Sequence, residues 1–384
     1  MKTIIRAPLL TQSGYGVHSR QVYEWLESIP NIELYADVLN WGMTSWILDG
    51  DRKKGLIERI ISRGVNPEQK NFDLSVQVQL PDEWDPSLAK VNIGISAVVE
   101  TDRCNPKWVE NCNKMDAIIV PSNFTKQVLC RSGQIKKQIY VVPEWFNPEI
   151  TDQNKSLKLK LNPKFNFLMI GTITGQNAEN DRKNIFNCIK WFCEEFKDDK
   201  KIGLVLKTCY GKSTEIDKEI TKTIIRRVVS EIRPSKFPKI TLLHGEMSDK
   251  EVAGLYKHPK IKCYLAPTKG EGYGLPLVES AASGLPIIAT GWSGHTQFLE
   301  KGKYLDVDYS LKEIDESRID GRIFVKGTRW ADVSEPDFKR KMRMIVDNCS
   351  KYKELAMEQK VNIHKNFSRE STISLYNEVL KKVI

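Results

Sequence analysis

The segment Glu271-Gly-Tyr-Gly-Leu-Pro-Leu-Val-Glu-Ser-Ala-Ala-Ser-Gly-Leu-Pro-Ile-Ile-Ala-Thr290 contains a glycine loop, a helix start and a buried strand in close succession. Pro276 favours a helix beginning at Leu275, because the first helical turn has no use for the missing N–H of proline. Gly284 followed by Pro286 indicates a turn, and the apolar run after it predicts a buried strand. A loop, a helix and a strand in this order are typical of a parallel sheet covered by helices.

The same segment carries two carboxylates, Glu271 and Glu279, eight positions apart around the helix start. Gly272 and Gly274 leave the backbone bare, and the free amides of a helix N-terminus suit a diphosphate. One carboxylate can hold a ribose diol and the other the hydroxyls of a second sugar. These features predict a nucleotide-sugar site; the alternative is an ordinary strand–turn–helix unit with solvated glutamates.

This segment resembles the E-x7-E signature of retaining glycosyltransferases with the two-domain GT-B fold, especially the large family 4. The resemblance rests on both glutamates, the glycines, Pro276, the run Ser280-Ala-Ala and the Gly284-Leu-Pro turn. It implies that Glu271 contacts the donor sugar and that Glu279 holds the ribose. It also implies donor contacts from the loop residues Gly272, Tyr273, Gly274 and Leu275. No cofactor is implied, because the nucleotide-diphosphate sugar is a substrate, and no metal is implied, because protein cations and the helix N-terminus would neutralise the diphosphate.

The bulk properties are those of a soluble globular protein with 384 residues, 40% of them hydrophobic and 28% charged. This length predicts two domains. No apolar run approaches the roughly 20 residues of a membrane span, so we expect no integral membrane segment. The start is too short and polar for a signal peptide, and the eight cysteines form no C-x-x-C pair. We therefore expect reduced cysteines, no metal centre and a cytoplasmic location.

Strand-like runs alternate with helix-like segments along the whole chain, which predicts an α/β protein with two Rossmann-like, doubly wound domains facing across a cleft. Predicted strands include Thr3–Ile5, Leu74–Val78, Val91–Ile95, Ala117–Val120, Ile139–Val142, Phe165–Gly171, Ile202–Leu206, Ile240–Leu243, Ile261–Leu265 and Pro286–Ala289. We expect an N-terminal acceptor-side domain over 1–150 and a polar, lysine-rich linker over 151–164. A nucleotide-sugar domain should then cover 165–350, and helices over 351–384 would cross back to the first domain as in GT-B proteins.

Two segments of the first domain are candidate site elements. Ser13-Gly-Tyr-Gly16 follows the first strand, but Ser19 occupies the third glycine position of a dinucleotide fingerprint. The resemblance places Gly14 and Gly16 near the donor phosphates or acceptor; the alternative is a tight turn. Relatives often carry a histidine in the loop where this chain has Glu100 and Asp102. These carboxylates are catalytic candidates on the acceptor side, unless they only pair with Arg103.

Cations are expected where the leaving nucleoside diphosphate gains negative charge. In the family, an arginine follows the first strand of the second domain and a lysine opens the next helix. Lys183 matches the lysine, and either Arg182 or Lys207 would substitute for the arginine, which is absent beside Gly171.

A second donor-side candidate is His244, in a segment that resembles the family's nucleobase-contacting strand end. Ser248 with Glu251 three positions later predicts a capping box, which starts a helix directly after this segment. His295, in the loop after the strand that ends at Thr290, is a further candidate for the border of the cleft.

The acceptor is open. The opening from Arg6 to Gly16 resembles glycosyltransferases of tailed phages, and the net charge is +10 with a pI of about 9.0. A hydroxymethylated base in phage DNA, modified in the host cytoplasm, is therefore the leading hypothesis, although a lysine-rich composition explains the charge equally well. Alternatives are a polysaccharide, lipid or protein acceptor, a nucleotide-sugar epimerase, or a non-catalytic binding module on the same fold. The sequence gives no indication of the oligomeric state.

Overall fold

The computed structural model describes residues 1–66, 71–152, 157–232 and 235–384. They form two compact units. The first unit comprises Met1–Trp145, Gly321–Val325 and Arg369–Ile384, and the second comprises Phe146–Asp320 and Lys326–Ser368. The expected linker over 151–164 includes 153–156, which lie outside the described residues.

The first unit is built on a parallel six-stranded sheet in the order β2-β1-β3-β4-β5-β6. Its strands are β1 (Lys2–Ala7), β2 (Glu33–Val38), β3 (Phe72–Val78), β4 (Ala89–Ile95), β5 (Ala117–Val120) and β6 (Ile139–Val141). Its helices within the first 145 residues are α1 (Gly14–Glu27), α2 (Arg52–Ser62), α3 (Pro106–Cys112) and α4 (Asn123–Ser132). The inner strands are apolar because helices cover both faces of a parallel sheet.

The last helix of the chain, α11 (Arg369–Val383), packs with α1 in the first unit. The Tyr376 ring stacks on Trp25 with 4.6 Å between centroids. The Tyr376 hydroxyl lies 3.0 Å from Nε2 of His18, and the Trp25 indole N–H donates to Asn377 over 2.9 Å. The C-terminal segment from Arg369 is therefore part of the first unit.

The second unit has its own parallel six-stranded sheet, in the order β12-β11-β10-β7-β8-β9. Its strands are β7 (Phe165–Ile170), β8 (Ile202–Lys207), β9 (Lys239–Leu243), β10 (Ile261–Ala266), β11 (Ile287–Thr290) and β12 (Leu305–Val307). Its helices are α5 (Ile185–Glu195), α6 (Glu215–Ile232), α7 (Asp249–Tyr256), α8 (Leu275–Ser283), α9 (Glu335–Asp347) and α10 (Cys349–Asn366). Helix α8 buries Leu277, Val278, Ala281 and Ala282.

The second unit also contains a separate antiparallel hairpin of β13 (Tyr309–Glu313) and β14 (Arg329–Val333). The segment between its strands contains a short 3-10 turn, Glu316–Arg318. Further along the same segment, Gly321–Val325 belongs to the first unit. This hairpin is not among the strands predicted from the sequence.

The predicted fold class is confirmed, since both units are doubly wound parallel α/β structures. The ten predicted strand segments all overlap observed strands, whereas β2 and β12 were missed along with the hairpin. The predicted capping box is present, with Ser248 and Glu251 bonding each other's backbone N–H groups. No helix in the described part of the chain is both long and apolar enough to cross a membrane.

Candidate active site

The loop between β10 and α8 presents the start of α8 at the carboxyl edge of the second sheet. Gly274 precedes the helix with φ of 104°, a left-handed conformation that glycine adopts without strain. Pro276 lies in the first turn, as predicted. The first N–H groups of a helix have no acceptor within it, so this edge offers backbone donors and a positive dipole end.

The loop after β11, which contains Gly294, packs against this glycine loop. The N–H of Gly294 donates to the Glu271 carbonyl over 2.8 Å. A Cβ on Gly294 would lie only 2.0 Å from the carbonyl oxygen of Gly272. Only glycine allows this approach. The backbone at Gly294 therefore packs directly against the glycine loop and stabilises its conformation.

Glu271 lies in a buried cluster with two cations from the loop before α5. Nζ of Lys183 donates to both carboxylate oxygens of Glu271, over 2.6 and 2.8 Å. Nη1 of Arg182 lies 3.4 Å from the same carboxylate, and the three side chains are 10–19% exposed. Burial raises the pKa of Glu271, but Lys183 and Arg182 together outweigh it and lower that pKa to about 2. Glu271 is therefore an anion at neutral pH.

The loop before α5 is fixed by Asp181, which is fully buried. Its carboxylate accepts from the N–H and hydroxyl of Thr174 and from the N–H of Ile185, over 2.6 to 3.1 Å. Asn184 has a left-handed φ of 59° and donates its side-chain amide to the Pro267 carbonyl. These bonds connect the loop after β7 with the loop after β10, which brings Lys183 to Glu271.

Glu279 lies in the second turn of α8 and is half-buried. The Tyr256 hydroxyl donates to its Oε2 over 3.1 Å. Burial and the Glu279 carboxylate raise the pKa of Tyr256 well above its usual value. Tyr256 therefore keeps its proton and orients Glu279. No local sequence pattern indicates this tyrosine, because the bond depends on tertiary packing of α7 on α8.

His295 supports the loop from a fully buried position. Its Nε2 lies 2.7 Å from the Thr290 carbonyl, which can only accept, so Nε2 carries the proton. Ser293 Oγ lies 3.4 Å from Nδ1 and accepts the N–H of Glu271 over 2.9 Å. Burial lowers the pKa of His295, which keeps the ring neutral. His295 and Ser293 thus form a chain of contacts that ends at the backbone N–H of Glu271.

The other predicted donor-side residues of the second unit occupy different places. Nζ of Lys207 donates to the Gly245 carbonyl over 2.6 Å at the ends of β8 and β9, beside His244. Burial lowers the pKa of both Lys207 and His244. The Tyr273 side chain is buried, and its ring centroid lies 5.1 Å from that of Phe298. Of the two alternatives to the missing arginine, Arg182 contacts Glu271 together with Lys183, while Lys207 lies at the ends of β8 and β9.

The glycine loop of the first unit begins α1. Ser13 caps the helix by accepting the N–H of Gly16. A Cβ on Gly16 would lie 2.1 Å from the Thr11 carbonyl oxygen, whereas Gly14 faces open space. Gly16 is therefore required by close packing of the turn, and Gly14 is the more accessible of the two predicted glycines.

The acidic candidates of the first unit lie on the loop after β4, where Glu100 is half-buried and Asp102 is buried. The hydroxyl of Tyr15 accepts the N–H of Ala97 over 3.0 Å. Burial raises the pKa of Tyr15, and the Glu100 charge adds to this rise. Val98 has a φ of 56°, which is a strained conformation for a β-branched residue. Tyr15, which is not among the predicted site residues, thus connects the glycine loop with the acidic loop.

Comparisons with known proteins agree with this architecture. The family model "Glycosyl transferases group 1" matches residues 236–317. A curated relative named "Probable sucrose-phosphate synthase", from Thermosipho melanesiensis, is 25% identical over 248 residues, or 62% of this chain. The match covers 51% of the relative, so the chain spans about half of its length.

Solved structures show the same fold at low sequence identity. A sucrose-phosphate synthase from Thermosynechococcus elongatus aligns over 100% of this chain and 99% of its own, with 12% identity and a TM-score of 0.66. Anabaena Alr3699/HepE, solved in complex with UDP and glucose, aligns over 100% of both chains with 10% identity and a TM-score of 0.62. The fold is therefore that of the GT-B glycosyltransferases.

Within the described ranges, no group of three or more His, Cys, Asp or Glu side chains is arranged to hold a metal ion.

Proposed function

We propose that this protein is a glycosyltransferase that moves a hexosyl or pentosyl group from a nucleotide-diphosphate sugar to an acceptor hydroxyl. The observation that carries the proposal is the buried contact of Lys183 and Arg182 with Glu271, beside the N-terminus of α8. The GT-B fold and the match to the group 1 family model support it.

The cations and the helix N-terminus of this site complement the negative charge of the donor diphosphate. The diphosphate would bind the N-terminus of α8 and share Lys183 and Arg182 with Glu271. Glu271, ionised at neutral pH because of these cations, would accept hydrogen bonds from the sugar hydroxyls. Glu279, held by Tyr256, would accept from the ribose diol. Hydrogen bonds to a charged group contribute about 1.5–3 kcal/mol each.

Catalysis follows from where charge develops. As the bond from the anomeric carbon to the diphosphate breaks, negative charge grows on the leaving phosphate oxygens. Fixed cations that surround these oxygens stabilise the transition state more than the ground state. Lys183 is therefore expected to act mainly on turnover.

We further propose that transfer retains the anomeric configuration. The acceptor hydroxyl would attack from the face that the diphosphate leaves, and a leaving phosphate oxygen would take the hydroxyl proton. Glu100 or Asp102 would orient the acceptor or take that proton instead. Proton NMR of the first-formed product tests the stereochemistry, because inversion appears as the opposite anomer.

For the acceptor, the proposal is a hydroxymethylated base in DNA, motivated by the net charge of +10 and by the resemblance of the opening segment to phage enzymes. Binding to DNA should weaken steeply with salt, since lysines displace condensed counterions. Transfer of labelled sugar to hydroxymethylcytosine-containing DNA, but not to unmodified DNA, would support this acceptor. If the label appears instead on a polysaccharide, lipid, protein or sugar phosphate, that molecule would be the acceptor and DNA would not.

The first experiment is a thermal-shift screen of nucleoside diphosphates and their sugars, followed by donor turnover assays. The proposal predicts stabilisation by at least one nucleotide and slow release of its sugar to water or acceptor. If the protein binds a nucleotide-sugar but does not turn it over with any acceptor tested, a non-catalytic binding module would be favoured. Conversion of the donor into an isomeric nucleotide-sugar would favour an epimerase.

A further inference from the structure

The β13–β14 hairpin contacts the loop that leads to the two cations. This loop, Thr172–Asp181, connects β7 to Arg182 and Lys183. From the 3-10 turn of the hairpin segment, Nη1 of Arg318 donates to the Thr174 carbonyl over 3.1 Å. In the same turn, Oγ of Ser317 accepts from the side-chain amide of Asn180 over 3.0 Å.

Asn180 organises the loop from inside. Its Oδ1 accepts the N–H groups of Gln176 and Asn177 over 2.8 and 3.1 Å. A Cβ on Gly175 would lie 2.3 Å from that same oxygen, so the loop is closely wound around this side chain. The side-chain N–H of Asn180 donates to Ser317. The hairpin segment is therefore hydrogen-bonded to the residue around which the loop is wound.

Lys269 connects the same loop to β14. Its Nζ donates to the carbonyls of Ala178 and Glu179 over 2.6 and 2.7 Å and lies 5.0 Å from the ring centre of Trp330. Its own carbonyl accepts the N–H of Ala331 over 2.9 Å. Lys269 is 5% exposed and stands two positions before Glu271 in the sequence. The hairpin therefore supports both loops of the candidate site.

We propose that the β13–β14 hairpin is a positioning element, which holds the Thr172–Asp181 loop so that Arg182 and Lys183 face the donor diphosphate. The proposal rests on the proposed donor site. The physical reason is that ordering a loop of this length costs about 1–2 kcal/mol per residue in backbone entropy. Contacts that order it before binding remove this cost from the binding step. Ser317 and Arg318 act through the loop, as positioning residues.

The experiment compares hydrogen–deuterium exchange of the full-length protein with that of the double variant Ser317→Ala/Arg318→Ala. Exchange in peptides over 174–180 should accelerate about fivefold for each hydrogen bond lost, the factor that corresponds to ~1 kcal/mol. Peptides of β10 should not change. Arg226→Ala, an exposed arginine on α6, is the matched control and should leave all these rates unchanged. Equal exchange over 174–180 in the double variant and the wild type would overturn the proposed hold on the loop.

A second measurement tests the functional consequence with UDP, ADP, GDP and the corresponding nucleosides as probes. The double variant should lose at least about fivefold in affinity for the nucleoside diphosphate that the wild type binds, with little change for the nucleoside. Ser317→Thr, which keeps the hydroxyl, should restore the affinity lost in Ser317→Ala.

The outcomes separate the two proposals. Unchanged diphosphate affinity in a double variant with accelerated exchange would overturn the positioning role. A wild type that binds no nucleoside diphosphate would instead overturn the proposed donor site, while the exchange rates still decide whether the hairpin holds the loop.

Discussion

The Lys183–Glu271 ion pair predicts a specific pH dependence of stability, which Glu271→Gln tests. The pKa of Glu271 is lowered from 4.5 to about 2 in the folded protein. At 1.36 kcal/mol per pKa unit, this shift corresponds to about 3 kcal/mol of stability at neutral pH. Because the folded-state pKa is the lower one, this contribution is fully present above pH 4.5 and is lost as the pH falls toward 2. The carboxylate is buried, so solvent screening removes little of it.

The assay is urea unfolding between pH 7 and pH 3, followed by hydrogen exchange in peptides from β7 and β10, which report on the second unit alone. The difference in unfolding free energy between wild type and Glu271→Gln should be about 3 kcal/mol at pH 7 and roughly half of that at pH 3. Glu231→Gln is the control, because its pair with Arg227 is exposed and should contribute below about 1 kcal/mol. A Glu271→Gln difference that stays constant with pH would refute the assigned ion pair.

Three further predictions concern the donor site. Glu279→Ala should weaken nucleoside-diphosphate binding by about 1.5–3 kcal/mol with folding nearly unchanged; wild-type affinity in a calorimetric titration would exclude Glu279 as the ribose ligand. Lys183→Ala should lower kcat more than it raises the donor KM, since diphosphate charge grows in the transition state; unchanged kinetics would leave Lys183 without a role in catalysis. Gly294→Ala should lower the Tm of the second unit and weaken donor binding together, because its Cβ would meet the Gly272 carbonyl at 2.0 Å; an unchanged Tm would show that this packing is not needed.

The sequence was sufficient for the elements whose local signals agree with the fold. The start of α8 at Leu275 follows from Gly274 and Pro276, and the inner strands follow from uninterrupted apolar runs, as expected of a sheet covered on both faces. The grouping of Lys183 with Glu271 was anticipated only in part. The sequence indicated that both serve the donor, but not that they bond each other directly over 2.6 Å.

What was missed depends on tertiary contacts. β2 is an edge strand of the first sheet whose apolar residues, Leu34, Ala36 and Val38, alternate with other residues, a strand pattern that is short and was overlooked beside the continuous apolar runs of the inner strands. The β13–β14 hairpin has exposed, charged residues such as Lys312 and Glu313, which hide the strand pattern. The positions of the two alternative cations also required coordinates, because the sequence spacing does not show that Arg182 lies beside Glu271 while Lys207 donates to the Gly245 carbonyl.

The most direct test of the donor site is a crystal structure of the protein with the nucleoside diphosphate that stabilises it most. The proposed donor site predicts diphosphate oxygens within hydrogen-bond distance of Lys183 Nζ and the first amides of α8, with the ribose hydroxyls on Glu279. A nucleotide bound elsewhere on the protein, or none at a saturating concentration, would contradict it.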